Sequence, residues 1–228
     1  MKPMHPRSMA AALLVAALTA CGSARGQQTT TPPRPSPSEQ GDAAAMARAR
    51  ADSARLPWTE ADARFMTNMI GHHGQAIVMA KLAPTRTTTP SILTLAARII
   101  NAQEDEIGTM QRWLRDRNRP APDPAAMVEM AAMGHDHAMM PGMLTPAQMR
   151  ELDQARGTNF DRLFLTYMIQ HHRGATAMVS ELFGTHGAGQ DETVFKFASD
   201  VNVDQETEIA RMGRMLADIL LGPIPTTP

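Results

Sequence analysis

From Trp58 onward, apolar residues recur at steps of three and four, the period of an amphipathic helix. Phe65, Met69, Ala76 and Ala80 form one such stripe, and His72 and His73 fall inside it rather than on the polar face. The pattern predicts a helix that starts at the N-cap Thr59, with Asp62 three residues on, and ends near Ala83, where Pro84 would stop it. A second helix, Ser91 to Asp116, carries Ile92, Leu95, Ile99, Met110 and Trp113 at helical spacing, interrupted by polar Gln103 and Glu106. Prolines at 120, 122 and 124 break the chain, and Thr145-Pro146 opens a short helix that Gly157 should close. Two long helices follow, Asn159 to Phe183 and Glu192 to Leu221, the last ended by Gly222-Pro223. No stretch alternates with period two, so the expected class is all-α.

The pattern is duplicated. Phe-x-x-x-Met-Ile-x-His-His occurs at Phe65–His73 and again at Phe164–His172, and Gln103, Glu106, Met110 and Leu114 return as Gln205, Glu208, Met212 and Leu216. Two hairpins, each apolar on one face, predict a four-helix bundle. Repeat 1 spans residues 58–118, a linker 119–144, and repeat 2 residues 145–221. Folding each hairpin at its turn brings His-His, Gln and Glu to one interior layer.

Such a layer carries a cost. An unpaired buried polar group costs roughly 1–3 kcal/mol, so four imidazoles without partners would approach the whole stability of a domain. One solution is a closed hydrogen-bond network of His with Glu and Gln. The other is a metal held by His72, His73, His171 and His172, with Met69 and Met168 lying one helical turn before them, while Gln103, Glu106, Gln205 and Glu208 orient the imidazoles from behind.

The linker adds a tract of Met127, Met130, Met133, His135, His137, Met139, Met140 and Met143. An amphipathic segment accounts for the first three; it does not account for histidines set among methionines. His135, His137, Met139 and Met140 are therefore candidates for a second metal site. Thioether with imidazole suits Cu(I), where Mg or Ca would call for oxygen donors. His186 stands alone in a glycine-rich loop and is expected to be merely solvated.

The ends and the composition place this chemistry. Lys2 and Arg7 precede an apolar run, Met9 to Ala20, too short to span a bilayer and shaped like a signal peptide over residues 1–20. Leu18-Thr19-Ala20-Cys21 resembles a lipobox, which predicts lipidation of Cys21, the single cysteine of the chain. Residues 21–57 read as a polar tether, with a short alanine-rich helix over 43–55. A soft-metal protein in an oxidising compartment does better with 19 methionines and 8 histidines than with thiols. A net charge of −1 with no basic patch argues against nucleic acid.

At these residues the chain resembles the bacterial family catalogued as domain of unknown function 305. The resemblance rests on Phe65-Met66-x-x-Met69-Ile70-x-His72-His73 with Ala76 and Met79, on Gln103-x-x-Glu106-Ile107-x-x-Met110, on their second copies, and on Gly142-Met-Leu-Thr145. It implies a ferritin-like four-helix bundle over about Trp58 to Leu221, an extracytoplasmic location, and copper binding or tolerance. Gly74 and Arg173 follow the two His pairs, so the copies differ chemically.

Three functions compete. The leading expectation is an envelope lipoprotein, anchored to the membrane by lipid alone, that buffers or sequesters copper. A ferritin-like metal-dependent oxidoreductase is opposed by Met69, Ile70, Met168 and Ile169, which stand where such sites carry Glu before His. A metal-free helical interaction module is the third. No nucleophile turn for a hydrolase is present.

Overall fold

The structure, a computed structural model, describes residues 58–133 and 140–222 together with Gly41 and residues 44–46. The expected signal peptide, the lipidated Cys21, most of the helix at 43–55, and His135, His137 and Met139 lie outside the described residues.

Six helices follow from Trp58 onward: α1 Glu60–Arg86, α2 Pro90–Asp116, α3 Pro124–Ala132, α4 Pro146–Gln154, α5 Gly157–Gly184 and α6 Glu192–Leu221. Their starts are written locally. Thr59 and Asp62 close a capping box on α1, Thr145 and Gln148 close one on α4, and the Asp123 and Asp191 carboxylates cap α3 and α6. Two boundaries differ from expectation. Pro84 lies within α1, which continues to Arg86; its missing N–H forfeits one bond, to the Ala80 carbonyl, and the Thr87 N–H still reaches the Ala83 carbonyl at 3.1 Å. Gly157 begins α5 instead of ending α4, which stops at Gln154.

α1 packs along α2 and α5 along α6, and the two hairpins join through α1 against α5. Asp62 also accepts the Gly189 amide at 2.7 Å, tying the start of α1 to the α5–α6 loop. Between these ends the core splits in two. One apolar cluster takes Phe65, Met66, Met69 and Ile70 of α1 with Met178, Val179 and Leu182 of α5. The other takes Met79, Ala80 and Ala83 of α1 with Phe160, Phe164 and Met168 of α5. α1 and α5 are therefore antiparallel, and the histidines occupy the layer where the clusters meet. Among the described residues no helix is long and apolar enough to cross a membrane.

Candidate metal centre

Adjacent residues on a helix point about 100° apart, so neither His pair can aim both rings at one spot. The structure divides each pair. His72 on α1 and His171 on α5 meet across the helix interface, ring centroids 3.8 Å apart and planes inclined by 38°. His73 and His172 turn toward the second helix of their own hairpins. There the His73 Nε2–H donates to Glu106 Oε2 and the His172 Nε2–H to Glu208 Oε2, both at 2.7 Å. All four rings are buried. Glu106 and Glu208 therefore each meet the second histidine of their pair, His73 and His172.

Hydrogen-bond partners fix the protons. A backbone carbonyl or an ionised carboxylate only accepts, so a nitrogen facing one carries the hydrogen, and in a neutral ring the other nitrogen keeps its lone pair. His72 Nε2 donates to the Pro141 carbonyl at 3.0 Å. The Nδ1 atoms of His72, His73 and His172 are buried and without a hydrogen-bond partner, and His171 has no partner in hydrogen-bonding geometry at either nitrogen. Those five imidazole nitrogens cost roughly 5–15 kcal/mol at about 1–3 kcal/mol each. A fully closed His–Glu–Gln network is not what the side chains form. Gln103 and Gln205 are buried in the same layer, yet neither bonds an imidazole and the Oε1 of each lacks a partner.

Burial, reinforced by the neighbouring His73, drives the His72 imidazole down to about 3. Burial, then the imidazoles of His72, His172 and His73, likewise push His171 well below its ordinary value, against a small opposing pull from the His72 backbone. Both central rings are neutral near pH 7. Behind the flanking dyads, α2 and α6 leave a cleft of about 470 Å³ lined by Asp105, Glu106, Asp200 and Asp204. Burial, followed by the charges of Glu106, Asp200 and Glu208, raises the Asp204 carboxyl.

Met69 and Met168 are fully buried one turn before the histidines. Among the described residues no three His, Cys, Asp or Glu side chains converge as a ready cation cage. Two facing imidazoles, with the Met69 and Met168 thioethers on the preceding turns, form a donor set whose chemistry suits a soft ion better than a hard one.

The linker supplies parts that sequence reasoning missed. Gln75 clamps Leu144 through both of its backbone groups, at 2.7 and 3.0 Å. Gly142, at φ 76°, seats its turn on α5 where Gly174 has no side chain; a Cβ on Gly174 would stand 1.9 Å from the Pro141 oxygen. That contact delivers the carbonyl that holds His72. Met140 is partly buried against the first apolar cluster, beside this turn. Met127 is buried over Gly71, whereas Met130 and Met133 are exposed. His186 is exposed, as expected. The glycines at 71, 74, 142 and 174 were the available signal, since each marks a close backbone approach.

Residues 62–216 match the family model described as Domain of unknown function (DUF305). A DUF305 protein from Streptomyces coelicolor, described as secreted, superposes with a TM-score of 0.59 at 30% identity, covering 70% of this chain and 93% of that one. A DUF305 fragment from Deinococcus radiodurans gives 0.59 at 27% identity over 71% and 98%. CopM in its Cu(II)-bound form gives 0.55 at 31% identity over 69% and 96%, and in its Cu(I)-bound form 0.52 at 30% over 71% and 98%. Uncharacterized protein L153 of Acanthamoeba polyphaga mimivirus is 41% identical over 56 residues, which is 25% of this chain and 37% of that protein's length.

Proposed function

We propose, from the premise that this chain belongs to the DUF305 family, that it is a metal-binding protein that holds copper as Cu(I) outside the cytoplasm and buffers or sequesters it. The observation that carries the reading is the set of bare, buried imidazole nitrogens at the α1–α5 interface. A fold does not ordinarily retain that many unsatisfied polar atoms in one layer unless something else satisfies them.

His72 and His171 would be the central ligands, with Met69 and Met168 supplying thioether sulfur. His73 and His172 would present Nδ1 from the flanks, each ring held in place by Glu106 or Glu208. When bound, the cation supplies the positive charge that the neutral imidazole layer lacks. The chain's own contribution is a dry, neutral, pre-deprotonated donor set, so binding requires no proton to leave His72 or His171. Gln103 and Gln205 would be polar walls of the layer. His135, His137, Met139 and Met140 would form a second site, with Met140 and Pro141 joining it to the first. Anchoring through Cys21 would keep the protein at the envelope, without nucleic acid as a partner.

CopM, crystallised with Cu(II), with Cu(I) and with Ag, lends weight to the choice of ion. The test is competition of the purified full chain against a Cu(I) chelator, with and without His135→Ala/His137→Ala. Stoichiometric withdrawal of Cu(I), reduced but not abolished by the double substitution, is the expected result; no competition would end the proposal. An oxidoreductase would instead consume oxygen when loaded with iron, and a metal-free module would show no change in melting temperature on adding copper.

A further inference from the structure

The duplication makes the two hairpins comparable position by position, and among the described residues one groove is filled in the first but open in the second. In hairpin 1 the chain reverses after α2 at Asn118, whose φ is 54°. Pro120-Ala121-Pro122 then runs back along the helix: Ala121 packs on the apolar cluster and Gln111 Nε2 donates to the Pro122 carbonyl at 2.9 Å. The segment continues into α3, where Pro124 covers Gly74 and Met127 covers Gly71. In hairpin 2 the corresponding positions are Gly213 for Gln111, Leu216 for Leu114, Ile169 for Ile70, Gln170 for Gly71 and Arg173 for Gly74. Those same five residues line a cavity of about 740 Å³, closed at one end by the Pro141–Gly142 turn.

The sequence after α6 carries a Pro-x-Pro like the one after α2. Gly222, at φ 77°, stands at the end of α6 and Pro223-Ile224-Pro225 follows it directly, whereas Arg119 separates Asn118 from Pro120-Ala121-Pro122. We propose that residues 223–228 bind in the groove between α5 and α6, the counterpart of the seat that Pro120–Val128 takes between α1 and α2. Reach is sufficient: Gly222 lies about 9 Å beyond Leu216 along the helix axis, and six extended residues span about 19 Å. Arg173 explains why the occupant is an extended strand and not a helix. A Cβ at Gly74 would stand 3.0 Å from the Pro124 oxygen, so α3 could not approach a side chain at that position. Gly213 in place of Gln111 leaves room for Ile224 where hairpin 1 has only Ala121. Filled, the groove covers the outer side of the turn whose carbonyl holds His72.

The test compares backbone amide shifts and hydrogen exchange of the full chain, of a variant ending at Gly222, and of Ile224→Asp, which keeps the length. The expected result is shift changes confined to Thr166–Gly174 and Gly213–Leu216 in both variants, about tenfold faster exchange in that stretch, and recovery when the peptide Pro-Ile-Pro-Thr-Thr-Pro is added to the shortened protein. Unchanged shifts in that stretch, or changes that map elsewhere, would overturn the proposal. So would groove shifts that depend on protein concentration, which would assign the seat to a second copy.

Discussion

His72 and His171 differ from His73 and His172 in what their nitrogens meet, although the members of each pair are neighbours in sequence. The flanking rings each donate to a carboxylate of their own hairpin at 2.7 Å. The central rings face each other at 3.8 Å; one is held only by a linker carbonyl and the other by nothing in hydrogen-bonding geometry. One 100° step along a helix thus separates an imidazole positioned by a carboxylate from one that faces the partner hairpin. A duplicated dipeptide gives each hairpin one ring of each kind, and of the four rings only the central two meet across the hairpins.

Acid should break this contrast most strongly. The His72 value in the fold, about 3, lies below the ordinary 6.5, and His171 is shifted the same way. As pH falls the unfolded chain takes up these protons first, so the stability present above pH 6.5 is lost as pH drops toward 3. The slope is roughly 1.4 kcal/mol per pH unit for each ring that stays unprotonated in the fold, so the metal-free protein should lose stability steadily as pH falls below 6.5. Urea midpoints between pH 7 and 4 measure this; a flat profile would mean that the central rings are solvated.

Substituting His171→Leu should separate binding from folding. It replaces a ring with two orphaned nitrogens by an apolar side chain, so metal-free stability should hold or rise. Silver affinity should fall by more than the roughly 10–100-fold that loss of a positioning partner costs. Glu106→Gln and Glu208→Gln should each produce that smaller loss, since the rings remain but their orientation weakens; calorimetric titration with Ag(I) ranks the three. Gly174→Ala probes the linker's hold on His72. Its Cβ meets Pro141 backbone at 1.9 Å, which the backbone must shift to relieve, costing about 1–3 kcal/mol in thermal unfolding. Met69→Leu and Met168→Leu are the mildest. They should change stability by less than about 1.5 kcal/mol while lowering affinity for Ag(I) more than for Zn(II).

The helices and their pairing were legible because period, caps and duplication agree, from the Thr59–Asp62 box to the recurrence of Phe65–His73 as Phe164–His172. The polar layer was legible too, since His72, Gln103 and Glu106 interrupt apolar stripes. Periodicity alone could not say which of two adjacent histidines faces the partner hairpin, because both lie within the width of one stripe. Nor could it find Pro141, whose role depends on a turn 69 residues from His72 in the chain. The continuation of α1 through Pro84 was hidden for a related reason: proline removes a single ladder bond, and whether the next turn continues depends on packing that periodicity does not record.

The most direct test is nitrogen NMR of the imidazoles during titration with Ag(I). The account predicts that His72 and His171 change first and together, at nitrogens bare in the metal-free protein, while His73 and His172 keep Nε2 protonated. Shifts at His135 and His137 alone, with the four buried rings unmoved at saturation, would contradict it.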